Sequence, residues 1–355
     1  MTRARAALTA SVLVAVAAAL PACTGGSERE LPDECGGRRV TISGTAGDDV
    51  ITATSADDVI ATGDGDDVVD GLEGDDVICG GEGQDRLDGG PGDDELHGGL
   101  DSRESADDDF YRWNADTLVG GPGDDLLDGG VDDRHEPSET SDTIVFSGSP
   151  RGVEVDLVAG TATGDGTDRI EGQVRHVEGS PHDDRILGSA DDDILYGNEG
   201  ADELVGRDGS DLLYAGVADS NSRDRSPHVL IGGEGADTLV AESGDDQLRG
   251  GGGDDSLQGG AGVDVVRGGP GDDHLLDLLG FAPGQVVDGG PGSGDRASSF
   301  GLQLRGRFVR AAGVIHLAEG YLRARFGDTT VEVAFTGLED VTAPDGRWRL
   351  IGDPG

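Results

Sequence analysis

The stretch that decides the fold is residues 80–97, two nine-residue units laid end to end. They read Gly80-Gly81-Glu82-Gly83-Gln84-Asp85-Arg86-Leu87-Asp88 and Gly89-Gly90-Pro91-Gly92-Asp93-Asp94-Glu95-Leu96-His97. Both fit the template G-G-x-G-x-D-x-U-x, in which U is a large aliphatic residue. Six such units follow one another without a gap from Gly44 to His97, and a phase held for 54 residues predicts a repeat architecture.

Each position of the unit has a residue type that suits the structure expected there. Across the chain, at least 18 units have Asp at position six and an aliphatic residue at position eight, and at least 13 of these also have Gly at position four. Gly at positions one, two and four permits positive φ, so positions one to six can form a tight turn. Positions seven to nine then form one short rung of a parallel sheet, with position eight pointing inward. The inward residues of the first six units are Ile51, Ile60, Val69, Ile78, Leu87 and Leu96.

The chain is strongly acidic. Asp and Glu number 73 against 26 Lys and Arg, which gives a formal net charge of −47. Nucleic-acid binding needs a basic surface, so this composition argues against a nucleic-acid partner. Asp outnumbers Glu 54 to 19, and short carboxylates beside glycine favour turns and hard-cation sites.

A coil of two units cannot be stable by itself. One aliphatic side chain per unit buries little apolar surface against the entropy of ordering the turn, and stacked carboxylates repel one another. A divalent cation between stacked turns would remove this repulsion, and the oxygen donors favour Ca²⁺ over Mg²⁺. Zn²⁺ is not expected, because the seven histidines are scattered along the chain. They are His97, His135, His176, His182, His228, His274 and His316.

The repeat resembles the RTX, or hemolysin-type, calcium-binding nonapeptide family. The resemblance implies an all-β fold, a parallel β-roll in which Ca²⁺ lies between turns two units apart and the position-six Asp side chains are ligands. By motif position the implied metal ligands are Asp49, Asp58, Asp67, Asp76, Asp85, Asp94, Asp116, Asp125, Asp184, Asp193, Asp202, Asp211, Asp237, Asp246, Asp255, Asp264 and Asp273. Asp142 fits less well because it follows an irregular loop. Pairing turns within the regular blocks predicts about nine or more Ca²⁺ ions.

Position five is often acidic as well. Asp48, Asp66 and Asp93 are examples, and this position has no ligand role in the family. We interpret these residues as solvated surface charge that keeps a thin roll soluble.

The first 22 residues predict a signal peptide. Arg3 and Arg5 precede an apolar run, Leu8 to Leu20, that is too short to span a bilayer comfortably. The run continues into Pro21-Ala22-Cys23 and resembles a bacterial lipobox, in which Cys23 would be lipidated and anchored to a membrane. We favour the lipoprotein over free secretion, and either over an uncleaved anchor. Both favoured outcomes place the mature chain in an extracellular or cell-surface location.

Two further cysteines, Cys35 and Cys79, form an even pair in an oxidising compartment. We expect a disulfide between them, and the alternative is two unconnected thiols.

The pattern divides the chain into consecutive segments. They are a signal peptide (1–22), a linker and N-terminal cap (23–43), a first roll block (44–130) with a loop insertion (98–115), a polar loop and β spacer (131–180), a second block (181–214), a loop (215–228), a third block (229–296) and a β C-terminal cap (297–355). The cap echoes the spacer in outline, so we interpret it as irregular β structure that continues the roll.

No motif for catalysis accompanies the repeat. His135-Glu136-Pro137-Ser138-Glu139 lacks the second His of H-E-x-x-H, and there is no G-x-S-x-G elbow. We therefore expect a non-catalytic extracellular protein whose roll folds on binding Ca²⁺. The alternative is a calcium-dependent adhesin or glycan-binding module that uses the aromatic residues of the 98–115 loop, including Trp113. A cryptic hydrolase is the least favoured function.

Overall fold

A computed structural model describes residues 31–101, 115–132, 142–216, 225–278, 286–291 and 296–298, together with the backbone of seven strands between residues 303 and 351. These residues form strands and turns and no helix. Within this described part of the chain, no helix has the length and apolar character needed to cross a membrane.

Most of the strands are only three to seven residues long, as one rung per nonapeptide requires. The first half of the chain contains β1 Glu34–Cys35, β2 Arg38–Arg39, β3 Ile42–Ser43, β4 Val50–Thr52, β5 Val59–Asp64, β6 Val68–Asp70, β7 Val77–Glu82, β8 Arg86–Asp88, β9 Glu95–Asp101, β10 Thr117–Val119, β11 Leu126–Asp132, β12 Asp142–Val145, β13 Glu154–Asp156, β14 Thr161–Thr163, β15 Thr167–Glu171, β16 Val174–Glu178 and β17 Arg185–Leu187. The second half contains β18 Ile194–Tyr196, β19 Glu203–Asp208, β20 Leu212–Tyr214, β21 Val229–Glu234, β22 Thr238–Val240, β23 Gln247–Gly252, β24 Ser256–Gly260, β25 Val265–Arg267, β26 His274–Leu278, β27 Val286–Asp288, β28 Arg296–Ser298, β29 Gln303–Leu304, β30 Arg307–Phe308, β31 Ala312–His316, β32 Tyr321–Phe326, β33 Thr329–Thr336, β34 Asp340–Thr342 and β35 Arg349–Ile351.

Alternate rungs enter two different sheets, as a two-sided roll requires. Sheet 1 has 14 strands in the order β4-β6-β8-β10-β12-β16-β18-β20-β22-β24-β26-β28-β34-β35. Sheet 2 pairs in the open series β3-β5-β7-β9-β11-β15-β14-β13-β17-β19-β21-β23-β25-β27-β33-β32-β31. Most neighbours are parallel, so the predicted parallel β-roll is confirmed.

The core is the stack of position-eight side chains between the sheets. In sheet 1, Val69 pairs with Leu87, and Leu87 pairs with Leu118. In sheet 2, Ile60 pairs with Ile78. All five side chains are at most 1 % exposed and belong to one apolar cluster. Ile51, at the first rung of sheet 1, is only partly buried because no earlier rung covers it.

The turn glycines are required where coils approach each other. Gly81 has φ +123°, and a Cβ at this position would overlap the carbonyl oxygen of Gly63 in the preceding coil. A Cβ on Gly80 would overlap Oδ2 of Asp85 within the same unit. In this unit, positions two and one therefore exclude larger residues for two different reasons, one set by the coil stacking and one by the carboxylate.

A short hairpin and a disulfide close the N-terminal side of the roll. Strands β1 and β2 pair antiparallel, and Cys35 is bonded to Cys79. Cys35 is buried in a small cluster with Ala61 and Val77. The predicted disulfide is confirmed, and it ties the hairpin to strand β7.

The spacer is built into the roll. Strands β13, β14 and β15 form an antiparallel meander inside sheet 2, where β15 continues from β11 and β13 leads into β17. Strands β12 and β16 continue sheet 1 with one register shift at Asp142 and Thr143. At the C-terminal side, β33 and β34 extend sheets 2 and 1.

Candidate metal centres in two aspartate ladders

The position-six residues line up in two columns, one before the strands of each sheet. Ladder 1 precedes the strands of sheet 1 and contains Asp49, Asp67, Asp85, Asp116 and Asp142, then Asp193, Asp211, Asp237, Asp255 and Asp273. Ladder 2 precedes the strands of sheet 2 and contains Asp58, Asp76, Asp94, Asp125 and Asp168, then Asp184, Asp202, Asp246 and Asp264. All 17 predicted ligands therefore lie in these two columns.

One hydrogen bond recurs along both ladders. In most coils, the backbone N–H of the position-six residue donates to Oδ1 of the position-six Asp in the next coil. Asp67 donates to Asp85 over 2.9 Å, and Asp85 donates to Asp116 over 2.8 Å although 31 residues separate them. This bond fixes the carboxylates of successive coils in one repeated orientation.

The second carboxylate oxygen has no donor in the interior of each ladder. From Asp67 and Asp76 onward the ladder carboxylates are at most 3 % exposed. Their Oδ2 atoms are buried without a hydrogen-bond partner at Asp67, Asp76, Asp85, Asp94, Asp125, Asp211, Asp237, Asp255 and Asp264. A buried carboxylate oxygen without a donor is costly unless a cation satisfies it.

Burial makes these carboxylates weak acids in the metal-free protein. Desolvation, opposed by the backbone hydrogen bond, raises the pKa of Asp85 and Asp94 to about 7 and that of Asp125 to about 8. Desolvation likewise raises the pKa to about 7 at Asp184, Asp211, Asp255 and Asp264 and to about 6 at Asp193 and Asp168. Neighbouring carboxylates raise most of these values further.

The donor set fits Ca²⁺. Two successive ladder carboxylates and the turn carbonyls supply hard oxygen ligands, which Ca²⁺ accepts in flexible geometry. In the described part of the chain, no group of three or more His, Cys, Asp or Glu side chains is placed to hold a metal ion. Any ion in a ladder would therefore depend on backbone carbonyls or water in addition to the Asp pair.

The first carboxylate of each ladder, in the first block and again after the spacer, differs from the interior ones. Oδ2 of Asp58 accepts from the N–H and hydroxyl of Thr54, over 2.9 and 2.7 Å. Oδ2 of Asp184 accepts from the N–H of Ser180 over 2.6 Å. Thr45 and Ser189 serve Asp49 and Asp193 in the same way. A Thr or Ser at position two thus marks the coil in which a ladder begins.

Sequence reasoning missed one ladder residue, Asp168. Its side chain is 3 % exposed, and its Oδ1 accepts the N–H of Asp125 over 3.2 Å. The signal was present in the spacer, because Gly164, Gly166, Asp168 and Ile170 occupy positions two, four, six and eight of a unit that spans residues 163–171. Asp142, which fits the motif less well, is also a ladder residue, since its Oδ1 accepts the N–H of Asp116 over 2.9 Å.

Three residues without a carboxylate occupy position six where strand pairing continues. Val153 donates its N–H to Asp184 in ladder 2. Arg175 precedes the paired residues His176 and Val177 of β16 in ladder 1. The two replacements fall in the spacer, so both ladders are interrupted there. The third, His228, lies between Asp202 and Asp246 in ladder 2.

Most position-five acids are exposed, as predicted, but they are not only solvated charge. The N–H of Asp75 donates to Oδ1 of Asp57, and the N–H of Asp93 donates to Oδ1 of Asp75, both over 3.1 Å. Asp124 continues this column by donating to Asp93 over 2.9 Å. The interpretation as surface charge alone was therefore incomplete, because these carboxylates also bond successive turns together.

Several expectations lie outside the described residues. They concern residues 1–30 with Cys23, most of the aromatic loop including Trp113, and the side chains of the C-terminal cap.

Comparison with known families supports the repeat assignment. The chain matches the family described as RTX calcium-binding nonapeptide repeat (4 copies) over residues 43–78, 70–102, 113–133, 178–213, 229–257 and 242–275. These segments contain all 17 predicted ligands, whereas Asp142 and Asp168 fall between them. No curated protein matches the chain significantly.

Proposed function

The chain carries RTX calcium-binding nonapeptide repeats, and from this premise we propose that it is an extracellular, non-catalytic protein whose roll folds as Ca²⁺ binds. The ions would be held by successive position-six carboxylates within each ladder. Ca²⁺ would supply the positive charge that the buried Oδ2 atoms lack.

The observation that carries the proposal is the contrast between the two oxygens of each interior carboxylate. Oδ1 of Asp94 accepts a backbone N–H over 2.8 Å, whereas its Oδ2 is buried with no donor. The same asymmetry recurs at Asp85 and Asp255. A fold that repeats this defect in coil after coil is costly without a cation and stable with one.

Mass action indicates how strongly Ca²⁺ would favour the folded roll. At millimolar Ca²⁺ and site affinities near 10⁻⁴ M, each filled site adds about 1.4 kcal/mol to the free energy of unfolding. Several such sites would decide whether the roll is folded at all. The chain would then stay unfolded where Ca²⁺ is scarce and fold after export.

The extracellular location rests on the N-terminal segment and on the disulfide. Residues 1–22 have the pattern of a signal peptide, and Cys23 stands where a lipid anchor would attach. The bond between Cys35 and Cys79 suits an oxidising compartment. We propose a lipoprotein anchored through Cys23, with Ca²⁺ drawn from the surroundings of the cell.

Circular dichroism of the mature chain with Ca²⁺ and after its removal tests the proposal. We expect most of the β signal to appear only with Ca²⁺, and an equally folded spectrum in excess chelator would contradict it.

A matched pair of variants separates the ligand from its neighbour. Asp94→Asn removes a buried ladder carboxylate, whereas Asp93→Asn changes the exposed acid beside it. We expect calorimetry to find fewer bound Ca²⁺ ions in the Asp94 variant alone. Equal stoichiometry in both variants would show that the ladder carboxylates are not the ligands.

A further inference from the structure

The outer face of sheet 2 carries a charge cluster that joins the rungs on either side of the loop insertion. His97, at position nine of its unit, points outward from β9. Its Nδ1 lies 3.1 Å from Oδ2 of Asp128 in the next rung, and its Nε2 lies 3.1 Å from Oε1 of Glu95 in its own strand. His97 and Asp128 pair in register although the insertion puts 31 residues between them.

These two contacts require the charged form of the imidazole. A neutral imidazole has one N–H, so it can donate to only one acid, and its other ring nitrogen would face a carboxylate lone pair. The imidazolium donates from both nitrogens, and both bonds are then charge-assisted. The hydrogen bond to Asp128 raises the pKa of His97 above its ordinary value of 6.5, burial opposes this rise, and the bond to Glu95 adds to it.

The same cluster contacts the N-terminal hairpin. Nη2 of Arg38 in β2 lies 3.8 Å from Oε2 of Glu95, and a Cβ on Gly36 would come within 2.9 Å of Oε1 of Glu95. Glu95 therefore has Arg38 at one oxygen and His97 at the other. The hairpin, β9 and β11 all meet at these side chains.

The charged groups around His97 come from the elements packed against it. They are Glu95 on β9, Asp128 on β11, Arg38 on β2 and, beyond Asp128, the paired Glu171 and Arg169 on β15. Strand β7 contributes Cys79, the register partner of His97, which does not titrate because it is in the disulfide. The side chains of His97, Glu95 and Asp128 are 24 % to 28 % exposed, so water screens their contacts only in part. Loss of the imidazolium proton would leave two neighbouring acids facing a single donor.

We propose that His97 is a proton-dependent clasp that holds the N-terminal hairpin, β9 and β11 together. Because the pKa of His97 is raised in the folded chain, this contribution to stability is fully present below pH 6.5 and is lost as the pH rises through the raised value. The clasp contains no ladder carboxylate, so it does not rest on calcium-coupled folding.

Nitrogen NMR of the full mature chain, labelled at histidine and saturated with Ca²⁺, tests the protonation. We expect His97, assigned by the signals lost in His97→Gln, to titrate above 6.5 and to carry a proton on both ring nitrogens below its midpoint. Asp128→Asn should lower that midpoint, since it removes the stronger acceptor. His176 is the internal comparison, because burial lowers its pKa. A midpoint at or below 6.5 for His97 would overturn the proposal.

Hydrogen exchange of residues 33–43 tests the hold on the hairpin, whose Val40 N–H donates to Asp33. At about pH 6 we expect His97→Gln to speed exchange about two- to fivefold over the parent chain, as partly exposed ion pairs allow. At about pH 9 the two chains should exchange alike, because the parent has lost the proton. His176→Gln, the matched control, should match the parent at both values.

Two outcomes would overturn the clasp. Equal exchange in His97→Gln and the parent at both pH values would show that His97 does not hold the hairpin. An equal acceleration at both would show that the side chain acts by packing and not through its proton. Neither outcome bears on Ca²⁺ binding, because both chains are compared at the same saturating Ca²⁺.

Discussion

The interior rungs and the spacer satisfy their charges in opposite ways. Interior carboxylates such as Asp85 and Asp94 bury an oxygen that receives no protein donor. In the spacer, the guanidinium of Arg207 donates to both oxygens of Asp156 over 2.9 Å and also to the carbonyl oxygen of Gly188. In the proposed function the regular rungs depend on an external cation, whereas the spacer carboxylate Asp156 is paired with an arginine from the second block.

Apolar packing reinforces this difference. Val153 replaces a ladder carboxylate and is buried in the central cluster with Phe146 and Val174. Ser180 and Ser189 then satisfy the first carboxylates after the interruption. The spacer is therefore a seam between two ladder segments, and we expect its apolar part around Val153 to depend less on ions than the regular rungs do.

Removal of Ca²⁺ should give the largest difference between the regular rungs and the spacer. We expect amides in the regular rungs of residues 59–101 to lose most of their protection from hydrogen exchange. Amides around Arg185, whose N–H donates to Val153 inside the seam, should lose the least. Exchange measured by mass spectrometry at matched pH, with and without chelator, checks this. Uniform loss over both regions would show that the seam is not independent of the ion.

A fall in pH should change the stability of the regular rungs and of the spacer in opposite directions. Burial raises the pKa of Asp85 to about 7 from 3.8, so in metal-free protein its protonation favours the folded roll. This contribution is fully present below about pH 4 and is lost as the pH rises through about 7. The hydrogen bond from Arg207 lowers the pKa of Asp156, so that contribution is present above its unfolded value and is lost as the pH falls.

Urea unfolding of metal-free protein measures the balance. Ladder carboxylates with a raised pKa outnumber Asp156, whose pKa is lowered. We therefore expect greater resistance to urea at about pH 5 than at about pH 8. With saturating Ca²⁺ the order should reverse, since protons then compete with the ion. Greater stability of the metal-free chain at the higher pH would contradict the conclusion that burial without a donor raises the pKa of the ladder carboxylates.

The smallest expected effect on stability distinguishes the arginine cation in the protein from bound Ca²⁺. Arg207→Ala removes a two-pronged ion pair that is about one-third exposed, and we expect a loss of about 1–2 kcal/mol with or without Ca²⁺. Asp85→Asn should cost about 3 kcal/mol with Ca²⁺, because two adjoining levels share this carboxylate. Without Ca²⁺ it should cost nothing, because it removes a buried charge. Thermal melts in both conditions would refute the contrast if the two variants responded alike.

The sequence was sufficient for the rung pattern and for the alignment of the position-six aspartates, because a nine-residue period fixes which residues of successive coils stack on one another. It was not sufficient for the order of rungs across the spacer. Which residue follows Asp142 in ladder 1 depends on a strand pairing with a register shift, so Arg175 could not be placed from its neighbours. His228 was not expected in a ladder, because the template has Asp at position six.

Bonds between coils were also invisible in the sequence. The spacing shows that Asp57 and Asp75 are 18 residues apart, but the donor, an ordinary backbone N–H, carries no residue signal. Asp168 was missed for another reason, since its unit, residues 163–171, stands alone in the spacer and is out of phase with the regular blocks. Its residues at positions four, six and eight nevertheless fit the template.

The length of the ladder hydrogen bond does not depend on how many residues separate its partners in the sequence. It spans 18 residues from Asp67 to Asp85, 31 from Asp85 to Asp116, 26 from Asp211 to Asp237 and 43 from Asp125 to Asp168, at 2.8 to 3.2 Å throughout. Height along the roll is therefore counted in coils and not in residues. Insertions of different length are therefore compatible with the ladder at these junctions, and peptides inserted there should leave the stacking of the rungs intact.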